Sequence, residues 1–221
     1  MTSLETRDGY FTRRGRGIEW EMELEWFRRQ MPPRAERVVD LGCGCGALLD
    51  ALPCTARYGL DADGEGLAWA GADRPGIRFI CASADKLPFR DEFFDVVTMQ
   101  HVIEHLADAT TLLAECRRVL RGNGVLLLQT PNGQFVDASV FEDPTHMRIF
   151  QGEELSRAVE RAGFTVLDSR TIGLPWFRRR RAMGSWRLRR MVTGGAHLLS
   201  APAALRWRGQ TLCCAARKTN A

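Results

Sequence analysis

Long apolar runs are missing from this sequence of 221 residues. None reaches the roughly 18 positions that would suggest a membrane-spanning helix. The polar opening, MTSLETRDGYFTRRGRG, has no secretory hydrophobic region, so a cytoplasmic location is expected. Zinc-site spacing is also lacking, because the seven cysteines at 43, 45, 54, 81, 116, 213 and 214 form no pair of CxxC elements. In a reducing compartment they are expected to serve as small buried hydrophobes. Lysine is nearly absent, with only Lys86 and Lys218, so arginine carries the positive charge. Acidic residues are absent after Asp168, while twelve basic residues follow it. Up to that point 19 basic residues face 27 acidic ones, a net −8, so the last quarter is a separate electrostatic object.

The length suits one domain with a full core and a small appendage, and no internal repeat or low-complexity linker interrupts it. Composition favours a helix over 18–30, IEWEMELEWFRRQ, although its apolar period is mixed, and Pro32 and Pro33 end it. Short β-like runs then alternate with helical stretches. The strands are expected at 37–41, 57–61, 77–81, 94–99, 124–130, 164–172 and 211–218, and the helices at 46–52, 64–71, 108–120 and 152–162. This rhythm predicts an α/β fold, a Rossmann-like, doubly wound, mostly parallel seven-stranded sheet with helices on both faces and a basic insertion before the last strand. The boundaries read from it are a helical lid over 1–35, a core over 36–172, an arginine-rich cover over 173–209 and a last strand over 210–221.

The stretch VVDLGCGCGALLDAL, 38–52, runs from a strand through a glycine loop into a helix. In such folds the ligand sits beyond the carboxyl ends of the strands, where backbone N–H groups and a helix N-terminus face it. Gly42, Gly44 and Gly46 allow positive φ and close backbone approach. Cys43 and Cys45 read as small fillers of this loop, open to oxidation if exposed. The spacing Gly42-x-Gly44-x-x-Ala47, with Asp61 about 20 residues on, also satisfies a dinucleotide pattern. The loop by itself leaves NAD and another adenosine cofactor open.

Two further stretches narrow the choice: CASADKLPFRDEFFDVVTMQHVIEHL, 81–106, and LRGNGVLLLQTPN, 120–132. With the glycine loop they make the chain resemble the class I S-adenosylmethionine-dependent methyltransferases of the small-molecule branch, type 11 or 12, over residues 36–172. The resemblance implies S-adenosylmethionine as cofactor. It places Asp40 and the loop Gly42, Cys43, Gly44 and Gly46 against the methionine part, and Asp61 on the ribose hydroxyls. Ala84 and Asp85 would meet the adenine, and Gln100 and His101 would line the methionine side through backbone. A ribose diol and an aromatic amine are donors, and carboxylates accept from them well. Taken singly, Asp61 and Asp85 also read as helix or turn caps. Gly122-Asn123-Gly124 departs from the Pro-Gly-Gly common among relatives, a change confined to a turn.

Methyl transfer needs a nucleophile in line with the sulfonium carbon and a base where that nucleophile is neutral. His146, in FEDPTHMRIFQGEEL, lies in a region that faces the substrate in this fold and is the first candidate for the base or a substrate hydrogen bond. It reads equally as a loop-fixing partner of Asp143 or Glu142. His105, beside Glu104, is the second candidate, or else orients the loop. His101 is given mainly to the cofactor wall, and nothing singles out His197. Tyr10, Phe11, Trp20, Trp176 and Phe177 are candidate lid aromatics for a flat or apolar acceptor. A nucleic-acid amino-methyltransferase would carry an Asn/Asp-Pro-Pro-aromatic tetrad after the fourth strand, where this chain has Gln100-His101-Val102-Ile103, which argues against nucleic acid. The arginines of 173–209, with apolar anchors among them, fit an anionic membrane surface or lipid-linked acceptor, an anionic substrate, nucleic acid, or a solvated face packed on the acidic body. The expected activity is O-methylation of a small molecule. C-methylation of a quinone-like or lipid-linked acceptor and a non-catalytic cofactor-binding role are the alternatives.

Overall fold

The β-like runs join into one seven-stranded sheet in the order β3-β2-β1-β4-β5-β7-β6. Its strands are β1 (Arg37–Leu41), β2 (Ala56–Asp61), β3 (Ile77–Cys81), β4 (Phe94–Gln100), β5 (Leu120–Pro131), β6 (Phe164–Ile172) and β7 (Thr211–Lys218). The structure, a computed structural model, describes residues 18–134, 144–173 and 210–219. Tyr10, Phe11, Glu142, Asp143, Trp176, Phe177, His197 and the arginine-rich cover over 174–209 lie outside them. Strands β1 to β5 pair in parallel, and β7 runs antiparallel between β5 and β6.

The sheet is covered on both faces because its apolar side chains alternate between two cores. Val39, Leu41, Met99, Leu126 and Leu128 join one core, and Val38, Val96, Val125 and Leu127 join the other. Strand β4 is buried along its whole length, as a central parallel strand must be. Helices α4 (Ala109–Val119) and α5 (Gly152–Arg161) supply Leu112, Leu113, Leu155 and Val159 to the first core. Helices α1 (Ile18–Gln30), α2 (Ala47–Ala51) and α3 (Gly64–Asp73) supply Leu24, Phe27, Leu48, Leu49 and Leu67 to the second. Among the described residues no helix is long and apolar enough to cross a membrane.

Local chemistry explains the helix starts. Asp63 caps α3 by accepting from the Gly66 N–H at 3.2 Å. Asp108 caps α4 by accepting from the Thr110 N–H at 2.9 Å. Each cap contributes about 1 kcal/mol. The mixed period of α1 resolves as a helix whose Trp26 and Phe27 are buried, with Trp26 Nε1 donating to Asp168 Oδ2 of β6 at 3.2 Å. Most boundaries fall within two residues of the sequence reading, and the larger difference is at β5, which begins at Leu120 rather than 124. Leu120 already pairs with Phe94, and Asn123 takes a φ of 61° to turn the chain before Val125 meets Val96.

From β1 the chain steps outward through β2 to β3, then returns to β4 on the other side of β1. The resulting switch point opens a crevice at the carboxyl ends of β1 and β4, where ligands bind in open α/β sheets.

Candidate functional site at the switch point

The loop leaving β1 has the backbone that its glycines suggested. Gly42, Gly44 and Gly46 have φ of 67°, 50° and 77°, all in the left-handed region that side chains disfavour. The N–H groups of Gly42 and Cys43 donate to the Leu60 carbonyl at 2.7 and 3.0 Å, which ties the loop to the end of β2. Asp61 accepts from the Gly44 N–H at 2.8 Å on one oxygen and from the Asp63 N–H at 3.0 Å on the other. Asp40 is buried in β1 and accepts from Thr98 Oγ1 of β4 at 2.8 Å, so it stiffens the floor of the crevice. The Ala82 N–H donates to the Asp61 carbonyl at 3.0 Å, bringing the stretch that leads to Ala84 and Asp85 onto the same rim. Ala84 is half-buried and Asp85 exposed.

Cys43 and Cys45 are both buried. A side chain on Gly59 would come within 2.7 Å of Cys43 Sγ, so this sulfur fills the space that Gly59 leaves open on β2. Burial, with Asp40 and Asp61 nearby, pushes the Cys43 thiol far above the usual thiol range. The exposure on which oxidation of these two cysteines was conditional is not met.

At the end of β4 a polar network gathers around His101, whose own φ is 56°. Its Nε2 lies 3.5 Å from Glu23 Oε1 of α1, and its Nδ1 lies 3.4 Å from Glu104 Oε1. Burial lowers the imidazole pKa, but the Glu104 and Glu23 carboxylates outweigh it and raise the group to about 9. Burial pushes the Glu104 carboxyl up in turn, and the His101 charge more than offsets this, so it ends below its usual value. Thr130 Oγ1 also donates to Glu104 Oε2 at 3.0 Å. Glu23 additionally accepts from Gln100 Nε2 at 2.9 Å and from Thr211 Oγ1 at 3.0 Å, so α1 is clamped to the ends of β4 and β7.

The two histidine candidates for proton handling come together. The 3₁₀ turn Ile103–His105 follows β4, and the Glu104 carbonyl accepts from the N–H groups of Met147 and Arg148 at 2.8 and 3.0 Å. This docks the loop before α5 onto the turn. The His105 and His146 rings then lie 4.8 Å apart between centroids, tilted by 48°. His105 Nδ1 is 3.1 Å from the Thr145 carbonyl. His105 is exposed and His146 half-buried, so both rings border solvent at the rim.

The structure thus gathers Asp40, the glycine loop, Asp61, Gln100 and His101 around the switch point, with the His105 and His146 pair beyond β4. Gln100 turns its side chain to Glu23, leaving its backbone for the crevice. Trp20 packs as a half-buried residue against the core beneath α1. Glu23 was missed by sequence reasoning, because Glu19, Glu21, Glu23 and Glu25 alternate alike along α1. The acceptor chemistry fits an adenosyl cofactor: Asp61 at the end of β2 and Asp85, four residues past β3, suit a diol and an amine, and the glycine loop admits a close main-chain approach.

Comparison with known proteins agrees. The family model described as a methyltransferase domain matches residues 39–128. A protein of Mycobacterium tuberculosis strain H37Rv, named as a probable S-adenosylmethionine-dependent methyltransferase, is 35% identical over 158 residues, covering 65% of this chain and 57% of the relative. The ubiquinone biosynthesis O-methyltransferase of Parvibaculum lavamentivorans is 32% identical over 102 residues, 43% of this chain and 40% of the relative. A chain from the complex of the Haloferax volcanii Trm112 methyltransferase activator with a methyltransferase superposes with a TM-score of 0.73 at 21% identity, covering 98% of this chain and 94% of that one. Residues 39–128 thus match a methyltransferase domain, and the S-adenosylmethionine-dependent relatives support a class I methyltransferase of the small-molecule type. The chain spans little more than half the length of the Mycobacterium relative, 57%.

Proposed function

We propose that this protein transfers the methyl group of S-adenosylmethionine to a hydroxyl oxygen of a small molecule. The observation that carries this reading is the meeting of His105 and His146, from two separate loops, at the rim of the crevice that the glycine loop and Asp61 border. The cofactor supplies an electrophilic methyl carbon on a sulfonium. Asp61 holds the ribose diol, exchanging its bond with the Gly44 N–H for the hydroxyls, and Asp85 accepts from the adenine amine. The backbone of Gln100 and His101 borders the methionine part. Activation of the acceptor hydroxyl, which must lose its proton, falls to the His105 and His146 pair. The ubiquinone O-methyltransferase relative supports an oxygen acceptor of quinone-like chemistry.

In this reading residues 1–35 form a lid in which Glu23 of α1 grips the strand ends, 36–172 the core, and the arginine-rich 173–209 a cover that docks on anionic lipid or an anionic acceptor. Liposome flotation at low and high salt tests the lipid arm, and failure to float on anionic vesicles removes it. The main test incubates the full chain with methyl-labelled S-adenosylmethionine and a panel of phenols, catechols and hydroxylated quinone precursors. Label on oxygen with release of S-adenosylhomocysteine is expected. Label on a ring carbon overturns the oxygen acceptor, and tight NAD binding without S-adenosylmethionine binding overturns the reading as a whole.

A further inference from the structure

We infer that Glu104, His105 and His146 form a binding site for a borderline divalent cation of the zinc class. One ligand atom from each of these three residues lies within 4.8 Å of the others. Bonds of about 2.0 to 2.2 Å place neighbouring ligands roughly 3 to 4 Å apart, so closure on a cation needs a contraction of about 1 Å.

Two independent features point to a ligand. The Glu104 side chain is wholly buried, and its Oε1 makes no hydrogen bond. Among the described residues the ion-pair approach of His101 Nδ1, at 3.4 Å, faces that oxygen, while the second oxygen is taken by Thr130. That contact is long for a hydrogen bond, and a buried carboxylate oxygen held so loosely can take a cation as a further partner. The second feature is the tautomer of His105. The Thr145 carbonyl 3.1 Å from its Nδ1 can only accept, so the proton sits on Nδ1 and Nε2 keeps its lone pair. Metal-binding imidazoles are commonly oriented by such a carbonyl on the other ring nitrogen. The same loop supplies the third ligand, because Met147 and Arg148 anchor their N–H groups on the Glu104 carbonyl and so bring His146 alongside.

Two imidazoles and one carboxylate suit Zn²⁺, Co²⁺, Mn²⁺ or Fe²⁺ better than the all-oxygen cages of Ca²⁺ or Mg²⁺. Three protein ligands leave a coordination position open toward the rim. Where the oxygen-transfer reading of the site also holds, that position takes the acceptor hydroxyl. Its O–H ionises with the proton passing to water, the oxygen lone pair forms the bond to the methyl carbon, and the carbon–sulfur bond breaks with its electrons on sulfur. The imidazoles then activate the hydroxyl as ligands.

The test uses the full chain, stripped with chelator and titrated with Co²⁺ alone and then Zn²⁺ alone. One equivalent of Co²⁺ is expected, with a visible d–d spectrum free of a thiolate charge-transfer band, displaced by Zn²⁺. His105→Ala and His146→Ala are each expected to weaken binding by about tenfold or more, and the double variant to abolish it. Absence of stoichiometric binding, an unchanged affinity in the double variant, or a thiolate band overturns the site. Calorimetric titration of the same proteins with S-adenosylmethionine separates the two proposals. Metal binding without cofactor binding overturns the methyltransferase reading and leaves the cation site standing, and cofactor binding with no metal binding does the reverse.

Discussion

Replacing Gly46 by alanine tests how tightly the glycine loop is built into the sheet. At φ 77° an L side chain costs about 1 to 2 kcal/mol in the left-handed region. The new Cβ would also stand 2.9 Å from Ile77 Cδ1 and from Phe79 Cζ, both on β3. Those atoms are the far ends of side chains and can yield, at about 1 to 3 kcal/mol of overpacking. The two together predict a loss of roughly 2 to 5 kcal/mol, a sizeable share of the 5 to 15 kcal/mol of a typical domain. The loop itself cannot simply lift away, because the Gly46 N–H donates to the Cys43 carbonyl at 2.9 Å and its own carbonyl accepts from Asp50 at 3.0 Å. Gly76→Ala serves as the control. No atom lies within 4 Å of its would-be Cβ, and its φ is outside the left-handed region. Its effect should stay within about 0.5 kcal/mol. Urea unfolding at unchanged slope measures both. A Gly46→Ala loss below about 1 kcal/mol, or a Gly76→Ala loss as large, refutes the reasoning.

Asp61→Asn should weaken S-adenosylmethionine binding by about 10- to 100-fold, the worth of hydrogen bonds to a charged acceptor; an unchanged calorimetric affinity would remove Asp61 from the ribose. The folded His101 pKa of about 9 lies above the ordinary 6.5, so its stabilisation is complete below pH 6.5 and fades as pH rises through 9. With the side chain about a quarter exposed, at 26%, this amounts to roughly 2 to 3 kcal/mol. Unfolding midpoints between pH 6 and 10 should therefore fall more steeply in the wild type than in His101→Gln, and parallel profiles would contradict the assignment. Of the seven thiols, exposed Cys81 should react first with an aromatic disulfide reagent, and half-buried Cys54 next. Cys116 and Cys214, the latter pushed up to about 12 by burial, should stay silent until the chain unfolds; rapid reaction of more than two thiols would show a looser core.

Where a strand is a dense run of β-formers bounded by turn residues, the sequence alone locates it. RVVDL, IRFIC and TLCCAARK begin and end where expected. The glycine loop was legible for a related reason, since three alternate glycines after a strand have few other uses. What was not legible depends on tertiary pairing. His105 and His146 stand far apart in sequence, and they meet because the Glu104 carbonyl takes two amides of the later loop and the Thr145 carbonyl faces His105 Nδ1. Cys43 is small because Gly59 on the neighbouring strand leaves room for one sulfur, a complementarity that no single stretch displays. The early start of β5 comes from Leu120 finding Phe94 across the sheet, which local propensity around Gly122 and Gly124 does not announce.

The antiparallel seating of β7 between β5 and β6 has a consequence for how this chain can change. Because Ile172 pairs with Thr211, and Gly173 sits close to the Gln210 backbone, the residues between them depart and return at one point on the sheet. Such a segment is a cassette. Shortening it from roughly 40 residues to a four-residue turn would ease loop closure by about 2 kcal/mol without touching a strand. The segment between them could therefore be exchanged for another while the crevice at β1 and β4 stays fixed.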